Sequence, residues 1–152
     1  MEIINYTNKH QQVVLHLIKQ TIQIVNQADY SLEQVTTWSA IDEERWEQDM
    51  HQKMGKLAIL NQQIVGFSDI TTDGYIDYFF VHHAFQRQGI AKELLRQLEL
   101  MHKGGKLTVA ASITARPFFE SQGYQVVQQN QVQVRGVSFI IFLMEKQRLY
   151  TV

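Results

Sequence analysis

The hydrophobic period of the chain changes abruptly at Gly89. Before it, Tyr75, Ile76, Tyr78, Phe79, Phe80 and Val81 form an aromatic and β-branched run of strand length. Beyond it, Ile90, Ala91, Leu94, Leu95, Leu98 and Met101 recur at helical spacing and define one apolar face. A strand that feeds a helix through the short polar loop Gln86-Arg87-Gln88-Gly89 fixes a β–loop–α unit in the middle of the chain. The first amides of a helix have no internal partner and carry the positive end of its dipole. Small residues at 89 and 91 let a ligand approach the backbone, and Arg87 adds a full positive charge, so the junction suits an anion such as a pyrophosphate. The same residues also read as a plain strand-to-helix turn with Gly at the bend. The G-x-x-x-x-G-K-[ST] and G-x-G-x-x-G patterns are absent, which removes support for P-loop enzymes and dinucleotide oxidoreductases.

Around this unit the pattern predicts further elements. Residues 2–6 read as a strand. Asn8 is the expected cap of a helix carrying Val13, Val14, Leu17, Ile18, Thr21, Ile22 and Val25. Ser31 with Gln34 makes a capping box for a second helix, and Asp42 caps a third, carrying Trp46 and Met50 and stopped by Gly55. Strands are expected at 57–60 and 64–71, joined by Asn61, Gln62 and Gln63, with Asp73-Gly74 turning into the strand at 75–81. Gly104-Gly105 is expected to end the central helix, with a strand at 106–111 after it. A short helix at 114–122 takes Pro117 in its first turn and ends at Gly123. A final hairpin, 124–134 and 137–146, bends at Arg135-Gly136. The order implies an α+β fold built on one mixed sheet, a single domain over 1–152, with no repeat and no linker.

Composition narrows the function classes. The chain has 152 residues, 45% of them hydrophobic, enough for one core and against disorder. A net charge of -1 gives no global field for nucleic acid or an anionic membrane. The absence of Cys removes disulfides, thiolate metal sites and a Cys nucleophile. No leader-like or spanning apolar segment is visible, so a soluble cytoplasmic protein, monomer or homodimer, is expected. The 20 Gln residues are scattered and explained only as uncharged polar surface. His82 and His83, taken as neighbours on an extended chain, point apart and make a poor metal pair; no metal site is expected. His102 falls in the last turn of the central helix, where positive charge suits the dipole.

Gln86-Arg87-Gln88-Gly89-Ile90-Ala91 matches [QR]-x-x-G-x-[GA], and residues 115–124, with Phe118, Phe119, Gly123 and Tyr124, look like an A-x-x-F-Y-x-x-x-G-F helix and turn. Together these resemble the GNAT-type N-acetyltransferases, specifically small bacterial members, over nearly the whole chain. The resemblance implies a GNAT acyl-CoA N-acyltransferase fold: a mostly antiparallel mixed sheet flanked by helices, splayed at a central parallel strand pair. It implies acetyl-CoA as cosubstrate and no metal. The pantetheine arm would lie along Phe79, Phe80 and Val81. The pyrophosphate would sit on the amides of Gln86, Arg87, Gln88, Gly89, Ile90 and Ala91, with Lys92 nearby. Phe118 and Phe119 would flank the thioester, and a backbone N–H near Val81 would serve as an oxyanion donor.

The implied reaction is direct attack of an amine, on a small molecule or an exposed protein amine, upon the thioester. Asp77 is the candidate general base, placed by strand alternation on the face of Tyr75, Phe79 and Val81; it also reads as a solvated strand-edge carboxylate. Two positions depart from the family pattern: Ser112 stands where Asn is common, and Phe119 where a Tyr commonly protonates the leaving thiolate. Ser112 either assists that step or caps the next helix. A thiol of pKa about 8.5 tolerates weak acid assistance. Tyr30, Gln34 and Trp38, with Trp46 and Asp49, are the candidate acceptor wall; the two Trp residues also read as core anchors. Phe119 favours a second reading, an acyl-CoA-binding regulatory module without catalysis.

Overall fold

The computed structural model describes residues 1–148. Seven strands form one sheet in the order β1-β2-β3-β4-β5-β7-β6. They are β1 (Glu2–Asn5), β2 (Lys53–Leu60), β3 (Gln63–Thr71), β4 (Tyr75–Val81), β5 (Lys106–Ala111), β6 (Gln125–Val134) and β7 (Val137–Gln147). Every neighbouring pair is antiparallel except β4 and β5, which are parallel. The expected α+β architecture is therefore present. No helix among the described residues is long and apolar enough to cross a membrane.

Five helices flank the sheet: α1 (Gln11–Ile24), α2 (Leu32–Ser39), α3 (Glu43–Met50), α4 (Ile90–Met101) and α5 (Arg116–Ser121). One face of the sheet carries α1, α2 and α3, where Val14, Ile18, Ile22, Val35 and Trp46 pack on Leu57, Phe67 and Phe80. The other carries α4 and α5, where Leu95, Leu98 and Phe119 pack on Ile70, Ile76, Leu107 and Met144. Burying both faces explains why β3 and β4 read as near-continuous apolar runs rather than alternating ones.

Local signals mostly landed where expected. Ser31 accepts from the Gln34 amide while the Gln34 side chain accepts from the Ser31 amide, and Asp42 accepts from the Arg45 amide. Pro117 lies in the first turn of α5. Four details differ. Asn8 is not the cap of α1: a short 3-10 turn over Asn8–His10, capped by Thr7, precedes the helix, and His10 stands at the α1 N-cap. The apolar stripe of α1 includes Leu15 and leaves Val13 exposed. Gly55 does not stop α3; it lies inside β2, where a Cβ would stand 2.8 Å from the Tyr6 Cβ and 3.0 Å from the Phe67 ring. Gly104-Gly105 does not cap α4 directly, since His102 already leaves the helix in an extended conformation and Arg148 covers the carbonyls of Glu99, His102 and Gly104. Five of the scattered Gln residues (125, 128, 129, 131 and 133) fall on β6, the outermost strand.

Two irregularities position the functional site. The parallel pairing of β4 with β5 holds only at Tyr75–Thr108 and Ile76–Val109, after which the strands part. On the other side, Ser68 faces Phe79 while Ile70 faces Ile76, so one residue of β3, Asp69, opposes two of β4, Asp77 and Tyr78. That count is a β-bulge at Asp77–Tyr78, which increases local twist.

Candidate active site

The loop after β4 is shaped by its own side chain. Gln86 Nε2 donates to the Val81 carbonyl at 2.6 Å, drawing the loop back onto the end of the strand. Arg87 (φ +60°) and Gly89 (φ +81°) both adopt left-handed backbone. A Cβ at Gly89 would meet open space, so glycine is there for its conformation rather than for clearance. The first bond closing α4 runs from the Glu93 amide to the Gly89 carbonyl. The amides of Ile90, Ala91 and Lys92 precede it and are the unpartnered donors of a helix start. They border a hollow of about 420 Å³ lined also by Val81, Phe85, Gln86, Arg87 and Phe118. Gln88 lies in the loop but outside that lining. Ile90 offers only its backbone, because its side chain is buried with Ala58, Val65 and Leu94.

A cleft of about 670 Å³ adjoins this hollow and shares Val81, Gln86, Ala91 and Phe118 with it. It enters the gap between β4 and β5, with Phe79, Phe80 and Val81 on one bank and Ala110, Ala111 and Ser112 on the other. Phe79 packs on Phe118 and Phe119, each ring centroid 5.4 Å away. Phe119 is almost wholly buried and also meets Tyr124, so it is a core ring at the cleft wall. Phe80 turns to the opposite face, 6.1 Å from Trp38.

The far end of the cleft reaches Tyr30, Trp38, Trp46, Asp49, Tyr75, Asp77 and Tyr78. Trp46 is both a core anchor and part of this lining. Gln34 is not brought to the cleft; its amide is spent on the capping box and on the Ser138 carbonyl, at 2.8 Å. Arg135, at the tip of the β6–β7 hairpin, holds the carbonyls of Thr37 and Ala40 at the end of α2 and so fastens the hairpin over this end.

Asp77 does not sit as strand alternation predicts. The bulge inserts one residue between Ile76 and Phe79, which both pack toward α4. Asp77 instead meets Lys53 of β2, Nζ to Oδ2 2.6 Å. The same ammonium is 3.4 Å from Asp69 Oδ2 on β3, and Asp69 Oδ1 accepts from the bulge amide of Tyr78 at 2.8 Å. Asp69 is fully buried. Burial pushes its carboxyl up to about 7 against the pull of Lys53. Burial pulls the Lys53 ammonium down, yet the two carboxylates outweigh it and leave it raised. Burial likewise pushes the Tyr78 hydroxyl up to about 12. Lys53 and Asp69 escaped the reading of the sequence. The signal available was a carboxylate inside the apolar run of β3, where an acid without a partner is costly.

Ser112 Oγ accepts from the Ala115 amide at 3.0 Å, a local cap of the turn into α5. Tyr30 reaches the same corner: its hydroxyl oxygen accepts from the Ile113 amide at 2.8 Å. The His82 and His83 rings stack at 4.3 Å rather than pointing apart, because the chain enters a 3-10 turn there. No group of three or more metal-ligating side chains occurs among the described residues.

A parallel pair that parts after two rows, beside a left-handed loop at a helix start, is the arrangement that the family resemblance implies. The chain matches the acetyltransferase (GNAT) domain over residues 26–146, and it belongs to that family of N-acetyltransferases. It is 37% identical over 144 residues to the uncharacterized N-acetyltransferase YafP of Escherichia coli (strain K12), covering 95% of this chain and 94% of that one. Among solved structures, a GCN5-related N-acetyltransferase from Rhodopseudomonas palustris superposes with a TM-score of 0.92 at 26% identity, covering 96% and 94% of the two chains. PaiA N-acetyltransferase from Thermoplasma acidophilum, in complex with coenzyme A, shares the fold with a TM-score of 0.77 at 14% identity, covering 96% and 98%.

Proposed function

We propose that this N-acetyltransferase uses acetyl-CoA and moves the acetyl group directly to an amine held at the aromatic end of the cleft. The observation that carries the proposal is the continuity of the cleft with the loop hollow, which joins free helix-start amides to the gap between β4 and β5. Relatives of the same fold are described as holding coenzyme A or acetyl-CoA, in PaiA of Thermoplasma acidophilum and in YncA of Salmonella typhimurium. In this reading the loop amides and Arg87 bind the pyrophosphate, with Lys92 beside them. Phe79 and Val81 offer the backbone that β5 leaves unpaired, and Phe118 and Phe119 flank the acyl end.

The acceptor is an amine of a small molecule or an exposed protein amine. Its nitrogen must lose a proton to attack, and Asp77 is the carboxylate available at that end of the cleft. Its pairing with Lys53 means that an incoming ammonium competes with a resident one. Attack forms the C–N bond, collapse breaks the C–S bond, and the electron pair leaves on sulfur.

Acetyl-CoA binding is expected to stabilise the fold. At a hundredfold excess over Kd the gain is about 2.7 kcal/mol, which for a domain of this size raises Tm by about 5–10 °C. An unchanged Tm at saturating acetyl-CoA overturns the proposal. Phe119, which has no proton to give, favours a second reading, a module that binds acyl-CoA without turnover. Acetyl-CoA with hydroxylamine, a nucleophile largely unprotonated at neutral pH, separates the two: the transferase accelerates thiol release and the binding module does not.

A further inference from the structure

The geometry points to Tyr30 as the group that protonates the departing thiolate, a role resting on the acetyl-CoA reading above and placed in a segment far from the motif that carries the fold. Tyr30 lies between α1 and α2, yet two hydrogen bonds pin its segment to the turn after β5. The Ile113 amide donates to the Tyr30 hydroxyl oxygen at 2.8 Å, and Thr114 Oγ1 donates to Asp29 Oδ2 at 2.8 Å. The ring is held edge-on to Trp38, with centroids 5.2 Å apart, and leans on Phe139 at 6.2 Å.

Because the oxygen accepts a hydrogen bond from the Ile113 amide through a lone pair, its own O–H remains to be donated. Ser112 Oγ, a neighbouring hydroxyl, accepts from the Ala115 amide and also hydrogen-bonds the Tyr30 hydroxyl, which favours the phenolate left once Tyr30 has given up its proton. Tyr30 lines the same cleft as Phe79, Ser112 and Phe119, at the corner where the gap between β4 and β5 opens into the acceptor end. A thioester whose arm lies in that gap meets the acceptor at this corner. Phe119 is a buried hydrocarbon there, whereas Tyr30 brings an oxygen from the other wall. Burial raises the Tyr30 hydroxyl above its ordinary value and keeps it protonated until the thiolate forms.

The step balances. The amine nitrogen forms a bond to the carbonyl carbon, the C–S bond breaks, and sulfur takes its electron pair together with the Tyr30 proton. The proton shed by the nitrogen returns through solvent to the phenolate, so none is consumed overall.

Tyr30→Phe keeps the ring packing and removes only the hydroxyl. Titration of wild type and variant with CoA and with desulfo-CoA reads the contact without turnover. Wild type is expected to prefer CoA by about fivefold, the worth of one hydrogen bond, and Tyr30→Phe to lose that preference. A merely structural role would weaken both ligands together and leave the ratio unmoved. With acetyl-CoA and hydroxylamine, kcat is expected to fall about 100-fold in the variant while KM for acetyl-CoA stays constant. An unchanged CoA to desulfo-CoA ratio, or a kcat within threefold of wild type, overturns the assignment. Failure of wild type to bind either ligand overturns the acetyl-CoA reading instead.

Discussion

Replacing Lys53 with Met tests the electrostatics that hold the bulge of β4. At 3.4 Å the Lys53–Asp69 attraction is about 5 kcal/mol at an effective dielectric of 20. The shorter contact with Asp77 adds under about 1 kcal/mol, because that carboxylate is partly exposed and screened. Removing Lys53 also removes the cost of desolvating its ammonium, so the net loss is about 3 kcal/mol, the range in which a broken buried pair falls. That lowers Tm by about 6–12 °C. The loss depends on pH. Folding raises the Asp69 carboxyl from 3.8 to about 7, so the native state holds the proton more tightly than the unfolded chain. In wild type this contribution is present at low pH, declines as pH rises across that window, and is level above it. Without Lys53 the carboxyl rises further, so the decline continues to higher pH. The gap between wild type and Lys53→Met is therefore expected to be small at about pH 5.5 and to open fully only by about pH 9.5. Urea unfolding followed by circular dichroism at both pH values measures it. Equal destabilisation at the two would refute the coupling of Lys53 to a titrating Asp69.

Two further substitutions probe the cleft itself. Gly89→Ala is expected to cost about 1 kcal/mol of backbone strain at φ +81° and to weaken CoA binding severalfold, read by calorimetric titration, since only conformation and not space is at stake there. Asp77→Asn is expected to lose at least 10-fold in turnover while CoA affinity holds; unchanged kcat in that variant would remove Asp77 from the proton path.

What was legible in the sequence was local. The change of period at Gly89, the capping box at Ser31 and Gln34, Asp42 at its cap, the Asp73-Gly74 turn and Pro117 each act over a few residues, and each appears in the fold. The misreadings share a cause of the opposite kind. Gly55 resembles a helix stop until Tyr6 and Phe67 are seen to fill the space above it in the sheet. Asp77 obeys alternation only on a regular strand, and the bulge that breaks the rule is stabilised by Asp69 and Lys53 from two other strands. The hydroxyl of Tyr30 meets the Ile113 amide across 83 residues, a pairing no periodicity encodes.

These long-range terms join the acidic cluster to the open strand pair. β4 is held on one side by β3 and on the other by β5 for only two rows. A regular strand in that position would continue its ladder and leave no gap for a ligand. The bulge instead falls where the parallel pairing ends, at Asp77–Tyr78, and the added twist there turns the remaining length of β4 away from β5. Its freed amide needs an acceptor inside a buried sheet, and Asp69 supplies one. A buried carboxylate in turn needs a cation, which Lys53 brings from β2. The backbone of β4 beyond Ile76 is left unpaired toward β5 and borders the cleft. A polar cluster that looks like a candidate for chemistry is thus first a device of shape. It leaves Asp77, its one partly exposed member, on the lining of the cleft.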